Sequence, residues 1–224
     1  MEIPTRNGLA PCTRRCLHAG RNLTKATVVL AESDGRPIAV KDFAARPWPV
    51  RRILGPLQLD REARAYRLLR DLPGVPRLLG RIDQMAIALE YVPGGDLGSA
   101  CPGDLPPAFF DRLERLLEAF HGRGVAHGDL HRRDVLVGPD GEPFIVDFST
   151  SLVVRASSGA LRRFVFDQMR RADQRAVAGM RRRLLPGSSR EIPKAPALYR
   201  VGRRLKTCFD RLRGRRVPRA REDR

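Results

Sequence analysis

The stretch from residue 125 to residue 149 limits what this chain can fold into more than any other. Two short apolar runs, Val135-Leu136-Val137 and Phe144-Ile145-Val146, flank the turn sequence Gly138-Pro139-Asp140-Gly141. That pattern predicts a β-hairpin. A loop crowded with ionisable groups, His127-Gly128-Asp129-Leu130-His131-Arg132-Arg133-Asp134, leads into its first strand, and Asp147-Phe148-Ser149 leaves its second. The hairpin therefore brings acids from two separated segments within reach of each other.

The remaining pattern supplies a frame around the hairpin. Thr27-Val28-Val29-Leu30 and Pro37-Ile38-Ala39-Val40-Lys41 read as strands joined through Asp34-Gly35. Asp60 is placed to cap a helix whose Ala63, Tyr66 and Leu69 share one face, and Leu72-Pro73-Gly74 ends it. Leu78-Leu79 and Met85-Ala86-Ile87-Ala88-Leu89 read as buried strands, and Pro93-Gly94-Gly95 as a hinge. Phe109, Leu113, Leu116, Leu117 and Phe120 recur at helical spacing, with Gly122 placed to stop that helix. Residues 161–185 form a second helical pattern, residues 186–196 a loop, and residues 200–224 a basic tail. With 42% apolar residues, the 224-residue chain can bury a core without staples. Cys12, Cys16, Cys101 and Cys208 are not spaced as a disulfide framework, and Cys12, Cys16 and His18 lack a second ligand pair at zinc spacing.

Four separated features share one chemistry. Ile38-Ala39-Val40-Lys41 places small Ala39 and cationic Lys41 on one face of a strand. Glu62 follows on the next helix, among Arg61, Arg64, Arg67 and Arg70. His127-Gly128-Asp129-Leu130-His131, with Asp134 beyond it, and Phe144-Ile145-Val146-Asp147-Phe148-Ser149 complete the set. In this order they resemble the strand lysine, helix glutamate, catalytic loop and D-F-G element of the protein-kinase-like superfamily. The His-Gly-Asp-Leu-His wording is most similar to aminoglycoside phosphotransferases and to bacterial lipopolysaccharide-core and RIO-like kinases.

The resemblance implies an α+β fold of two lobes: an extension over residues 1–19, a β-rich N-lobe over 20–92, a helical C-lobe over 93–199, and the tail. It also implies ATP and Mg²⁺. Asp129 would orient the acceptor hydroxyl, with Lys41 and Glu62 as its catalytic partners. Asp134 and Asp147 would hold metal, and His127 would support the loop. Ala39, Lys41, Glu90 and Val92 would bind the nucleotide, adenine meeting the backbone of Glu90-Tyr91-Val92. Asp173 stands where such kinases carry an acid that braces the catalytic loop; a solvated acid among arginines is the equal alternative. Three departures are visible. Asp134 replaces the family's asparagine, Ser149 replaces a glycine, and residues 19–25 contain one glycine and no G-x-G-x-x-G, which leaves phosphate cover to Thr24 and Lys25.

The acceptor is less constrained. No peptide-platform element follows Asp147, and the net charge is +18. Together with the loop wording, these favour a hydroxyl on a lipopolysaccharide-core or related glycolipid, with a serine or threonine in a protein as the alternative. A basic tail near an anionic membrane surface gains about 1 kcal/mol per Lys or Arg. Residues 1–20 hold no apolar run of signal-peptide length, so the expected setting is cytoplasmic, peripheral to the inner membrane if the acceptor is a lipid. A catalytically silent scaffold and an RNA-associated module are the rivals. With only 6% aromatic residues, base stacking is disfavoured, although phosphate contacts are not.

Overall fold

A computed structural model describes residue 6 and residues 15–18, 24–188 and 192–193. The basic tail and most of the N-terminal extension lie outside the described residues, as do Cys12 and residues 19–23. The chain begins with an antiparallel sheet. Its strands are β1 (Arg15–His18), β2 (Thr27–Ser33), β3 (Arg36–Asp42), β4 (Leu78–Asp83) and β5 (Ala86–Glu90), in spatial order β1-β2-β3-β5-β4. The predicted hairpin closes through Asp34 and Gly35, both at positive φ, with Ser33 opposite Arg36. Strand β1 carries no sequence signal, because four residues with one aliphatic side chain give no alternation to read.

The two faces of the sheet explain its sequence. Ile38 and Val40 of β3 point to one side, where they join Ala31, Ala86 and Ala88 in a small apolar cluster. Arg6 reaches this side and bonds the carboxylates of Asp42 and Asp83. Ala39 and Lys41, at the alternate positions, point to the other side, toward helix α1 and the cleft.

Helix α1 runs over Gly55–Leu69 and follows a π-helical turn at Val50–Leu54. It therefore starts five residues before Asp60, which is not its cap but an exposed mid-helix acid bonded to Arg81. Two local features move the start. Pro56 is tolerated in a first helical turn, and Gly55 lets the backbone lie against Phe43, whose ring would be 2.8 Å from a Cβ there. Leu59, Glu62, Ala63, Tyr66 and Leu69 form the buried stripe.

After Pro93 and Gly94, β6 (Gly95–Asp96) is followed by α2 (Pro107–Gly122), β7 (Val125–Ala126), β8 (Val135–Val137), β9 (Pro143–Ile145), β10 (Leu152–Val153) and α3 (Ala160–Leu184). The predicted hairpin is β8–β9, and β6 pairs with β8 to make three strands. Residue 124, not 122, turns the chain after α2. Gly122 is the last helical residue, while Gly124 has φ +73°, and a Cβ there would lie 2.5 Å from the Val154 carbonyl. Arg181 of α3 bonds Asp111 of α2 at 2.6 Å. One core runs from β5 and α1 through α2 to α3, with Phe148 at its centre. That ring meets Tyr66 at 5.0 Å, Phe120 at 5.4 Å and His127 at 5.4 Å.

Gly94 fixes how the chain between β5 and β6 meets the hairpin. Its φ is +140°, and a Cβ would lie 1.9 Å from the Val137 carbonyl oxygen. Backbone cannot yield as a side-chain tip can, so Gly94→Ala is expected to cost about 2–3 kcal/mol, read as a lower denaturation midpoint in urea. Gly95→Ala, with nothing closer than 3.9 Å, is the control and should cost far less.

Candidate active site

The cleft between the sheet and the β8–β9 hairpin encloses about 520 Å³. Every site residue expected from the sequence lines it: Ala39, Lys41, Glu62, Glu90, Val92, Asp129, Asp134 and Asp147. Sheet register delivers the first of these. Ala39 lies opposite Leu89 and Lys41 opposite Ile87, so the lysine points away from the Ile38–Val40 cluster and across to α1.

Lys41 Nζ lies 2.6 Å and 2.8 Å from the two carboxylate oxygens of Glu62, and 2.8 Å from Asp147 Oδ1. Lys41 is 7% exposed and Glu62 1%. Burial opposes the charge on Lys41, but Asp147 and Glu62 outweigh it and hold the ammonium well above the usual lysine range. Burial also pushes the Glu62 carboxyl upward, against the pull of Lys41. Asp147 goes the other way. Although burial opposes ionisation, Lys41, then Lys25 and the Ser149 contact, depress it far below the usual carboxylate range.

Asp147 takes an unusual backbone shape to do this. Its φ is +66°, left-handed for a non-glycine residue, and its side chain accepts from the Ser149 N–H at 3.4 Å. The following turn, Phe148–Thr150, drives Phe148 into the core while the carboxylate stays in the cleft. Aromatic burial next to the strained residue supplies the anchorage such a conformation needs.

The loop before β8 is held from three sides. Asp173, on α3, accepts from the backbone N–H groups of His127 and Gly128, each at 2.8 Å, and lies 3.2 Å from His121 Nε2. It is 1% exposed. Of the two readings open in the sequence, the geometry is that of the brace. His127 is buried with Nε2 3.1 Å from the Val146 carbonyl oxygen, tying the loop to the end of β9. His131 is exposed, its Nδ1 2.6 Å from the Asp129 carbonyl oxygen, and its backbone N–H donates to Asp134 at 2.8 Å. The Asp129 carboxylate is left facing the cleft, more than half exposed.

Asp134 and Asp147 are the residues that could hold a divalent cation. Burial pushes Asp134 upward, and the neighbouring Asp147 charge adds to the shift. Among the described residues no group of three or more His, Cys, Asp or Glu side chains gathers as a metal cluster. Two hard carboxylates nevertheless fit Mg²⁺, which keeps several waters and is bound by one or two carboxylates plus substrate phosphates. At the expected adenine edge, the Glu90 N–H already donates to the Arg77 carbonyl at 2.8 Å, and the Glu90 side chain accepts from the Arg77 N–H at 3.0 Å.

No protein-family model matches the chain. It is 30% identical over 106 residues to CBL-interacting serine/threonine-protein kinase 16 of Arabidopsis thaliana, covering 43% of this chain and 22% of that protein. It is 27% identical over 157 residues to serine/threonine-protein kinase 17A of Oryctolagus cuniculus, covering 63% and 40%. It is 31% identical over 101 residues to CBL-interacting serine/threonine-protein kinase 15 of Arabidopsis thaliana, covering 42% and 24%. The matched region thus spans well under half the length of each of these relatives. The chain is a distant homologue of serine/threonine protein kinases, at the level of the protein-kinase-like superfamily. Its N-terminal antiparallel sheet followed by helices is consistent with a kinase-like fold. None of its helices, among the described residues, is long and apolar enough to cross a membrane.

Proposed function

We propose that the cleft binds Mg-ATP and passes its γ-phosphate to an alcohol. The observation that carries this reading is the ammonium of Lys41, bonded at once to Glu62 of α1 and to Asp147 beyond β9, on the wall that also carries Asp129. A lysine fixed by one carboxylate and shared with a second is arranged to present charge to phosphates, the task that phosphoryl transfer sets a protein. The reading divides the chain at the hinge, with residues 20–92 and 93–199 as the two lobes that face the nucleotide.

Lys41 holds phosphate oxygens, and Glu62 fixes where it points. Ala39 gives room for the adenine, whose polar edge meets the Glu90 carbonyl and the Val92 backbone. Bound Mg²⁺ would neutralise charge on the phosphates, with Asp134 and Asp147 as its protein ligands. Asp129 accepts or orients the proton of the acceptor hydroxyl and aims its oxygen in line. Asp173 and His127 keep the Asp129 loop in place.

The acceptor best supported by the relatives is a serine or threonine hydroxyl in a protein. The glycolipid favoured by the sequence has no counterpart among them. Transfer of labelled γ-phosphate from Mg-ATP into fractionated cell extract tests both the reaction and the acceptor. Label is expected in the protein fraction with wild type and to fall at least about 100-fold with Asp129→Asn. Label in the lipid fraction would move the acceptor to a glycolipid. Equal label with Asp129→Asn would remove Asp129 from its role.

A further inference from the structure

Lys25 occupies the segment where a glycine-rich phosphate loop would lie, and it reaches the centre of the cleft. Its Nζ stands 3.5 Å from Asp147 Oδ2 and 3.3 Å from Ser149 Oγ. Lys41 bonds the other oxygen, Oδ1, of the same carboxylate. Asp147 therefore carries one ammonium on each oxygen, in a chain where only four of 43 basic residues, Lys25, Lys41, Lys194 and Lys206, are lysines.

Stability does not account for this second cation. Lys41 already compensates Asp147 from a buried position, whereas the Lys25 side chain is 41% exposed and its ion pair is long. Such a pair contributes little to folding. Arginine serves ion pairs elsewhere in this chain, as at Arg6, Arg81 and Arg181. A compact, mobile point charge at position 25 suits a ligand whose oxygens it must follow.

We propose that Lys25 is a phosphate-binding residue of the cleft. Its ammonium, steadied over Asp147 by the Ser149 hydroxyl, contacts the phosphate chain of the nucleotide in place of the backbone N–H groups of a glycine-rich loop. Two departures from the kinase pattern then belong together. The sequence without G-x-G-x-x-G supplies the lysine, and serine in place of glycine at position 149 supplies the oxygen that accepts from it. This inference rests on the Mg-ATP reading above.

Calorimetric titration with Mg-ATP and with adenosine tests it on wild type, Lys25→Met, Lys25→Arg and Ser149→Gly, with thermal unfolding as the control for folding. Lys25→Met is expected to weaken Mg-ATP binding about tenfold, the loss of one hydrogen bond to a charged group, and to leave adenosine binding unchanged. Lys25→Arg, which keeps the charge but not the compact shape, should fall between wild type and Lys25→Met, and Ser149→Gly should lose less than Lys25→Met. If Lys25→Met fails to fold, Lys25→Gln is read in the same way. Unchanged Mg-ATP affinity in Lys25→Met overturns the proposal and leaves the reading of the cleft standing; tighter binding overturns it too, making Lys25 a competitor for Asp147. Absence of Mg-ATP binding by wild type brings down both.

Discussion

Asp173→Ala is expected to destabilise the protein by about 3–5 kcal/mol and to abolish turnover with it. The carboxylate is 1% exposed and accepts two backbone N–H bonds at 2.8 Å, from His127 and Gly128. Alanine leaves both donors, and His121 Nε2, buried without this partner. A bond to a charged acceptor contributes about 1.5–3 kcal/mol, and an unsatisfied buried donor costs a similar amount. The same two peptide groups immediately precede Asp129, so the loop loses its register as well as its stability. Asp173→Asn separates the effects. It keeps one acceptor oxygen and should cost roughly half as much in urea denaturation, while turnover falls by more than the lost stability explains. An Asp173→Ala protein as stable and active as wild type would mean that Asp173 does not brace the loop.

Lys41→Met is expected to cost about 3 kcal/mol at neutral pH, because removal of one partner leaves Glu62 buried without its counter-charge. The pH dependence carries the sign. In wild type, Lys41 is raised above its unfolded value, so its contribution is complete below that value and is lost only as pH climbs through the folded one. Asp147 is depressed, so its contribution is complete above the usual carboxylate value and is lost as pH falls toward the folded one. Neither is lost near neutrality. Without the ammonium, Glu62 keeps the upward push of burial and loses the opposing pull of Lys41. The variant's penalty should therefore shrink as acidification protonates that carboxyl. Thermal unfolding of both proteins between about pH 4 and pH 8 should show the gap widest at the upper end. A gap that is constant, or that widens in acid, would contradict a buried charge pair.

The sequence was most legible where spacing and chemistry coincide. Ala39 and Lys41 share a strand face, Glu62 lies on the helix that follows, and the β8–β9 hairpin carries its acids at one end, as the pattern requires. The start of α1 is not legible in the same way: Asp60 looks like a cap, whereas the packing of Gly55 on Phe43 sets the helix. Packing of that kind has no signature in a single sequence. Helix α2 does end at Gly122, but the approach of Val154 makes Gly124 the glycine that turns the chain, a choice the sequence does not reveal. Asp173 could be named but not decided, since an acid among arginines looks alike whether it is solvated or turned onto two peptide groups. Lys25 can be named with Thr24 as phosphate cover, but only the fold brings it to Ser149, 124 positions away in sequence.

Whether this cleft takes Mg-ATP with Asp147 as a metal ligand is decided by calorimetric titration of ATP, with and without Mg²⁺, into wild type and Asp147→Asn. Mg²⁺-dependent binding is expected for wild type, with a loss of at least about tenfold in the variant, one coordinating carboxylate being a large share of what the protein offers the ion. The comparison is informative in sign. Asp147→Asn frees Lys41 and Lys25 of their shared anion, so a carboxylate that only balanced those charges would give tighter ATP binding when removed. Weaker, Mg²⁺-insensitive binding in the variant supports Asp147 as a metal ligand; no binding by wild type, or equal or tighter binding by Asp147→Asn, contradicts it.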